Sequence, residues 1–414
     1  MVPLPVAAVL TFNRHSQFMA ACARRLFGVP CAAYFDDYDT CEPTFCGRTG
    51  KDALHYLHRR MGMPLAGGEK DVLPAQSNPF LGVITDFSQL VSQGIVFLRS
   101  KPSRIAKAVL DIERMLAVGT SPLQMERLCG KIEYTQTSAS SGRCSRAALV
   151  VLREWAKGER AGGRHRSRPV SMDAAFALSF FAVILPLLRP RKLQVRGRLV
   201  RDTVIVYSDA MYDPNADVPA RIGFVIYDPE NPRPDDPTYA HEPWSFSDRV
   251  LTADEMALFA PRKQQVGQLE VLAGVAPYMS CPGQLRGRDV IHFIDNTGAL
   301  FGLTKGYYGE VDGARLVHAF HATTAAIDSN VWFEWVASEA NIADLPSRGE
   351  FDKLLEMGAV RVPCVIPSIG GDWEAVYRDV MSRLAPRATH GVKRQADAIR
   401  AAIGAERAKR VRVA

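Results

Sequence analysis

Apolar and polar positions alternate along the 414 residues in patterns that predict both helices and strands. Ala20 to Thr40 has the pattern of a helix followed by a hairpin, and residues 83–98 favour two strands around a Ser-Gln-Gly turn. Between Lys101 and Trp155 the spacing becomes helical, with one apolar stripe formed by Ile105, Val109, Ile112 and Leu116. Met172 to Leu188 predicts another apolar helix, which is too short to span a bilayer.

Three strand-like runs in the second half end in, or are followed by, a carboxylate, and a fourth acid lies in a helical stretch between two of them. In chain order these acids are Asp209, Glu270, Asp295 and Asp344. Any one of them alone is typical of a turn or a helix cap in solvent. Acids at strand ends can instead converge at one edge of a sheet, where two divalent cations about 3.5–4 Å apart clamp a phosphodiester. The set therefore favours a nuclease that uses Mg²⁺ (or Mn²⁺).

The order of these elements resembles the ribonuclease H family over about Arg201 to Arg348. Within it, Asn341 to Arg348 is similar to the ending of retroelement ribonuclease H domains. The resemblance implies a set of metal-binding, catalytic acids: Asp209, Glu270, Asp295 and Asp344. Two features depart from the family. Residues 228–237 belong to a long Pro- and Asp-rich insertion, and residues 337–340 lack the histidine that precedes the last acid in many cellular members.

The run Tyr34-Phe-Asp36-Asp37 gives an independent signal in the first half. It resembles the Y-x-D-D box of reverse transcriptases, which implies a tight hairpin whose two acids hold magnesium and whose tyrosine lies against nucleic acid. Lys70 then stands where that family has its leaving-group lysine, and Phe80-Leu81-Gly82 stands where it has its primer-grip turn. Together the motifs most resemble DIRS-like and related protist retroelements.

The predicted fold class is α+β: a truncated polymerase palm with a helical thumb, followed by a ribonuclease H-like mixed α/β domain. We place the palm at residues 1–98, the thumb-like helices at 99–156 and a basic linker at 157–202. The ribonuclease H-like domain follows at 203–350, and an extension with a basic tail at 351–414. The polymerase site is expected to be incomplete, because no acid precedes Asp36 and the family needs another palm aspartate.

A net charge of +7 and a pI near 9.0 suit a polyanionic partner such as an RNA–DNA hybrid or duplex. Lys157 to Arg168 and Arg189 to Arg201 are strongly basic, and either run fits a solvated linker as well as a phosphate-binding surface. Arg196 and Arg198 are the candidate phosphate contacts. The tail beyond Pro386 is expected to be loosely helical or disordered.

The eight cysteines contain no C-x-x-C pair, so zinc and disulfide frameworks are disfavoured and a reducing compartment is the default. No signal peptide or membrane span is predicted, which favours an intracellular protein in the cytoplasm or the nucleus. Other residues have structural interpretations. Trp332 and Trp335 are expected to pack on a sheet, His318 and His321 to be structural, and Asn296 to cap a helix.

Three functions remain open from the sequence. The favoured one is a retroelement-derived reverse transcriptase–ribonuclease H fragment that hydrolyses the RNA strand of RNA–DNA hybrids. The alternatives are a non-catalytic nucleic-acid-binding relic and a stand-alone ribonuclease H-like nuclease. RNA-directed DNA polymerase activity is expected only if upstream sequence restores the missing aspartate.

We predict that the purified chain does not extend a primer, because two-metal nucleotidyl transfer would lack one of its ligands. Incorporation of deoxynucleotides on a primed template measures this directly. Template-dependent incorporation that disappears in Asp36→Ala would show that the interpretation of the first half is wrong.

Overall fold

The computed structural model describes residues 6–65, 67, 73–139, 145–195, 203–230, 243–262, 264–368, 370–384 and 390–413. The chain divides into two compact units, Met1–Val96 and Phe97–Ala414. Both helices and strands are abundant, so the predicted α+β class is confirmed. Among the described helices, none is both long enough and apolar enough to cross a bilayer. The finer segment boundaries proposed from the sequence stay predictions.

The first unit contains two hairpins beside helices. Its elements are α1 (Val6–Phe27), β1 (Cys31–Tyr34), β2 (Asp37–Thr40), α2 (Thr49–Arg60), β3 (Ser77–Phe80), β4 (Val83–Asp86) and α3 (Leu90–Gln93). β1 pairs with β2, and β3 with β4, both antiparallel. The predicted helix and hairpin before residue 40 are confirmed. Between residues 83 and 98 the two expected strands are separated by the short helix α3, which ends at the left-handed Gly94.

The second unit begins with a group of helices. Strand β5 (Ile95–Ser100) crosses the boundary and is followed by α4 (Pro102–Val118), α5 (Pro122–Ala139), α6 (Arg146–Gly158), α7 (Met172–Ile184) and β6 (Arg191–Gln194), a neighbour of β5. The predicted stripe of α4 is buried at Ile105, Val109 and Ile112. Leu116, two residues before the helix ends at Val118, is exposed instead. Arg168, in the predicted linker, exchanges two backbone hydrogen bonds of 2.9 and 3.0 Å with Thr120, which lies between α4 and α5.

A six-stranded mixed sheet forms the centre of the second unit, with the order β11-β10-β7-β8-β9-β12. The strands are β7 (Val204–Tyr212), β8 (Ala220–Tyr227), β9 (Trp244–Val250), β10 (Asp289–Ile294), β11 (Asn330–Trp335) and β12 (Val360–Arg361). β7, β8 and β9 are antiparallel, whereas β10 runs parallel to β7, β11 parallel to β10 and β12 parallel to β9. Parallel neighbours deliver their carboxyl ends to the same edge of a sheet.

The remaining helices of the second unit lie between these strands in the chain or follow them. They are α8 (Ala253–Met256), α9 (Val266–Ser280), α10 (Pro282–Leu285), α11 (Thr297–Lys305), α12 (Val311–Ile327), α13 (Asp344–Arg348), α14 (Asp352–Glu356), α15 (Trp373–Leu384) and α16 (His390–Val413). α9 is buried along Gln268 to Met279, between the sheet and α12. A helix that is apolar on nearly every side requires such cover.

The basic tail contains a helix, α16. α16 packs against α4, with Ile399 fully buried and Arg407 2.6 Å from Glu113. Of the two states expected for this extension, residues 390–413 take the helical one. Full burial of an isoleucine stabilises by about 1.5–3 kcal/mol, so Ile399 contributes to holding α16 in place.

Helix α13 approaches the sheet closely at Gly223, the cross-strand partner of Asp209. A Cβ at Gly223 would lie 2.8 Å from the carbonyl carbon of Pro346 and nearer still to the amide nitrogen of Ser347. Both are backbone atoms, so no side chain can rotate away to make space. The absence of a side chain at Gly223 is what lets α13 rest on β8.

We predict that Gly223→Ala destabilises the chain by about 1–3 kcal/mol, because α13 must move away from the sheet. Gly130→Ala is the matched control: its Cβ would meet no atom within 4 Å, and alanine in helix α5 should raise stability by about 1 kcal/mol. Denaturant unfolding measures both. Equal stability of Gly223→Ala and wild type would contradict the packing described for α13.

Candidate metal centre

Three carboxylates from three separate elements meet at the edge of the mixed sheet. Asp209 lies in β7, Glu270 in α9, and Asp295 directly after β10. One oxygen of each lies within 4.8 Å of the others. The strand register explains part of this geometry, because Tyr207 pairs with Phe293 and each parallel strand then delivers its acid two residues later. The convergence expected from the sequence is found for these three acids.

Burial and the nearby negative charges make ionisation of Asp209 and Glu270 unfavourable. Burial raises the pKa of Asp209 to about 6; the hydroxyl of Ser347 opposes this shift, and the charge of Asp295 adds to it. Burial also raises the pKa of Glu270 well above its usual range, with further contributions from Asp209 and Asp295, while the backbone amide of Ala210 opposes the shift. A nearby cation would reverse both effects, since it favours the charged carboxylates.

Two buried carboxylate oxygens in the cluster, Oε2 of Glu270 and Oδ1 of Asp295, have no hydrogen-bond partner among the described residues. Glu270 is only 4% exposed, so solvent is largely excluded from its side chain. Buried polar atoms without partners are uncommon in folded proteins and call for an explanation such as a bound ion. Hard carboxylate oxygens are the ligands that Mg²⁺ prefers. The acidic triad could therefore bind a divalent metal.

Asp344 lies outside this close group. It is the first residue of α13, and its Oδ1 accepts a 2.7 Å hydrogen bond from Nε of Arg348, one turn later. The side chain of Asp344 is partly exposed. Its charge nevertheless contributes to the raised pKa of Asp209, so the two carboxylates interact. The expectation that all four acids share one compact site is met by three of them, because Arg348 holds the fourth.

Two serines hold the acids in place, and neither was assigned a role from the sequence. Ser347, fully buried on α13, donates its hydroxyl to Oδ2 of Asp209. Ser338 donates to Oδ2 of Asp295 at 2.7 Å. Ser347 lies inside the motif that carries the ribonuclease H resemblance, and that position is the one sequence signal that could have marked it as part of the site. Nothing near Ser338 marks it, because its partner is 43 positions away.

The polymerase-like motif lies on an exposed hairpin. Tyr34 and Asp37 are paired residues of β1 and β2, and Phe35 in the turn has a positive φ of 53°. The predicted tight hairpin is confirmed, with Tyr34, Asp36 and Asp37 exposed. Within the described residues, neither acid belongs to a group of three metal-binding side chains.

The turn at Phe80-Leu81-Gly82 joins β3 and β4 as a two-residue hairpin connection. Leu81 and Gly82 have φ angles of 50° and 85°. Positive φ at both positions is the geometry that matches the twist of paired strands. The other sequence candidates, Lys70, Arg196 and Arg198, lie outside the described residues.

The indoles of Trp332 and Trp335 are 68% and 54% exposed, so the expectation that they pack on the sheet is wrong. β11 is an edge strand, and an alternating apolar pattern does not show whether a helix covers it. Both indole N–H groups have partners: Trp332 donates to Glu334 at 3.1 Å and Trp335 to the carbonyl oxygen of Asp295 at 3.0 Å.

The structural roles expected for three other residues are confirmed. His318 Nε2 lies 3.1 Å from the carbonyl oxygen of Trp373, and His321 Nε2 lies 2.8 Å from that of Leu303. Both histidines are buried. Asn296 caps α11 by accepting a 3.0 Å hydrogen bond from the amide of Ala299.

No protein-family model matches the chain, and no curated protein matches it. Two solved structures are similar at 10% identity, each over 78% of this chain. One is a foamy viral protease-reverse transcriptase in complex with double-stranded DNA, with a TM-score of 0.33 and 58% of its length covered. The other is the dRH form of that protein with double-stranded DNA, with a TM-score of 0.32 and 49% covered. The chain thus spans about half the length of these proteins.

We predict that Asp209→Asn raises the free energy of unfolding at about pH 8 without metal, by an amount on the order of 1–3 kcal/mol. The folded-state pKa of Asp209, about 6, lies above the ordinary value of 3.8. The folded state therefore binds the proton of Asp209 more tightly than the unfolded state does. The stability that this proton contributes is fully present below about pH 4 and is lost as pH rises through about 6.

Denaturant unfolding in a chelator at about pH 8 and pH 4 measures the effect, which should shrink at the lower pH. Asp217→Asn, at an exposed loop position, is the control and should leave stability unchanged. A lower stability of Asp209→Asn than of wild type at the higher pH would contradict the electrostatic description of the cluster.

Proposed function

We propose that the second unit is a metal-dependent nuclease of the ribonuclease H type, within a retroelement-derived reverse transcriptase–ribonuclease H fragment. Its reaction would be hydrolysis of the RNA strand of RNA–DNA hybrids. The observation that carries the proposal is the meeting of Asp209, Glu270 and Asp295 within 4.8 Å, where two buried oxygens have no partner in the part of the chain that the structure describes.

The topology of the sheet supports this assignment. Three antiparallel strands, β7 to β9, precede the helix that carries Glu270, and the parallel strands β10 and β11 follow it. The acids thus occur on the elements, and in the order, that the sequence resemblance to ribonuclease H implies. The support comes from this order and from the carboxylate geometry together.

Asp209, Glu270 and Asp295 would hold the cation, and their oxygens offer the hard, anionic donors that Mg²⁺ or Mn²⁺ takes. When bound, divalent ions activate water and stabilise the leaving oxygen of an in-line displacement. The chain itself supplies orientation. Ser347 and Ser338 each fix the Oδ2 oxygen of one carboxylate, that of Asp209 and that of Asp295 respectively, by hydrogen bonding.

Recognition of the hybrid would depend on backbone and groove contacts. The net charge of +7 favours binding to the phosphates of a nucleic acid, and the affinity should fall as the salt concentration rises. The wide minor groove of an A-like duplex exposes 2′-hydroxyl groups that distinguish RNA from DNA. In the first unit, the exposed acids Asp36 and Asp37 would correspond to the two acids of the Y-x-D-D box.

One observation favours the alternative of a non-catalytic nucleic-acid-binding relic. Asp344, which the resemblance makes a metal ligand, is engaged in an ion pair with Arg348 instead of joining the other three acids. If catalysis requires Asp344 as a metal ligand, the centre would be inactive while Asp344 is paired with Arg348. Cleavage assays separate a nuclease from a relic.

We predict that wild type cleaves the RNA strand of a labelled RNA–DNA hybrid with Mg²⁺ or Mn²⁺ and not with a chelator. Asp295→Asn should lose cleavage by about a hundredfold or more, because removal of one donated charge weakens the cation site that activates water. Asp289→Asn, at the opposite end of β10, is the matched control and should cleave normally.

Affinity for the hybrid, measured in a chelator, should be the same for wild type and Asp295→Asn and should fall steeply as salt is raised. Binding without cleavage by wild type would support the relic. Equal cleavage by wild type and Asp295→Asn would place the activity at another site.

A further inference from the structure

A buried chain of side-chain hydrogen bonds lies behind the acid cluster. The hydroxyl of Tyr278 is 3.1 Å from Nδ1 of His292, and Nε2 of His292 is 2.9 Å from Oγ of Ser208. All three side chains are fully buried. The amide of Asn341 extends the chain by donating to the carbonyl oxygen of Ser208 at 3.1 Å.

Each member of this chain belongs to an element that also carries one of the acids. Tyr278 lies on α9 with Glu270, and His292 lies on β10, which leads into Asp295. Ser208 directly precedes Asp209 on β7. The three elements that deliver the three clustered carboxylates are thus linked to one another by two side-chain hydrogen bonds.

The hydrogen bonds among Tyr278, His292 and Ser208 can all form without a charged group. Burial lowers the pKa of His292 to about 3, so the imidazole is neutral over the range in which proteins are usually stable. A neutral imidazole has one donor and one acceptor nitrogen, and each hydroxyl neighbour can serve as the complement of either. Both ring nitrogens are therefore satisfied without a charge.

Apolar contacts alone do not fix the position of α9 over the sheet, because they are non-directional. Hydrogen bonds are directional, and those in a dry interior are costly to break. A sliding of α9 along β7 and β10 would separate Tyr278 from His292 and would also move Glu270 away from Asp209 and Asp295.

We propose that Tyr278, His292 and Ser208 are positioning residues that set the spacing of the three carboxylates for a divalent cation. The proposal rests on the metal centre proposed above. The three buried side chains would act as the residues that surround and orient the ligands of a metal site do. Loss of such residues weakens metal affinity by about 10–100-fold.

The test measures Mn²⁺ affinity by titration calorimetry, without nucleic acid, at a temperature well below unfolding. Tyr278→Phe, which removes one hydroxyl, should weaken Mn²⁺ binding by about tenfold. Thr323→Val is the matched control. It removes a buried hydroxyl that donates to Sδ of Met279 at 3.3 Å, between α12 and α9, and should leave affinity unchanged.

A variant in which all three positions are apolar, Ser208→Ala with Tyr278→Phe and His292→Leu, addresses stability separately. Removing every partner together avoids stranded polar atoms and can be nearly neutral for folding. We expect this variant to fold and to bind Mn²⁺ at least tenfold more weakly.

The outcomes are distinct. Wild-type affinity in Tyr278→Phe, or in a folded triple variant, would overturn the positioning role and leave the metal centre standing. Absence of Mn²⁺ binding by wild type would instead overturn the metal centre, and the positioning role with it. Equal weakening by Thr323→Val would show that any loss of a buried hydrogen bond at α9 has this effect, and would also overturn the proposal.

Discussion

Three carboxylates forced together in a largely buried site are the constraint on which the rest of this structure depends. Like charges at such distances repel, and burial removes the water that would screen them. The pKa values of Asp209 and Glu270 are raised for both reasons. A fold optimised for stability alone would avoid this arrangement, so the cluster indicates a function that needs concentrated negative charge.

The surrounding structure holds that unfavourable arrangement in place. Parallel pairing of β7 with β10 aligns two of the acids, and the burial of α9 under α12 holds the third. Gly223 gives α13 the space to bring Ser347 against Asp209. Strain at a functional site is commonly supported by packing elsewhere, and here the packing is that of the large core of the second unit.

The elements that depend on local pattern can be predicted from the sequence. The strands before Asp209 and Asp295, the helix around Glu270 and the hairpin at Tyr34 to Asp37 follow from short-range periodicity and turn chemistry. Their convergence was inferred from a resemblance in the order of elements, because spacing alone does not show which strands become neighbours.

Features decided by contacts between distant residues could not be predicted. Ser347 and Asp209 are 138 positions apart, and no local signal links them. The exposure of Trp332 and Trp335 depends on β11 being an uncovered edge strand, which an alternating pattern does not reveal. The pairing of Asp344 with Arg348 was visible as an i, i+4 spacing, yet whether an acid turns to a cation or to a metal site is decided by the surrounding structure.

The most direct measurement of the central claim is a crystal structure of the chain soaked in Mn²⁺, with an anomalous difference map. We expect a peak between the carboxylates of Asp209, Glu270 and Asp295, with carboxylate oxygens as ligands. We also expect Oε2 of Glu270 and Oδ1 of Asp295, which have no hydrogen-bond partner among the described residues, to become ligands. A well-ordered triad with no anomalous peak at saturating Mn²⁺, or peaks only at other acids, would contradict the central claim.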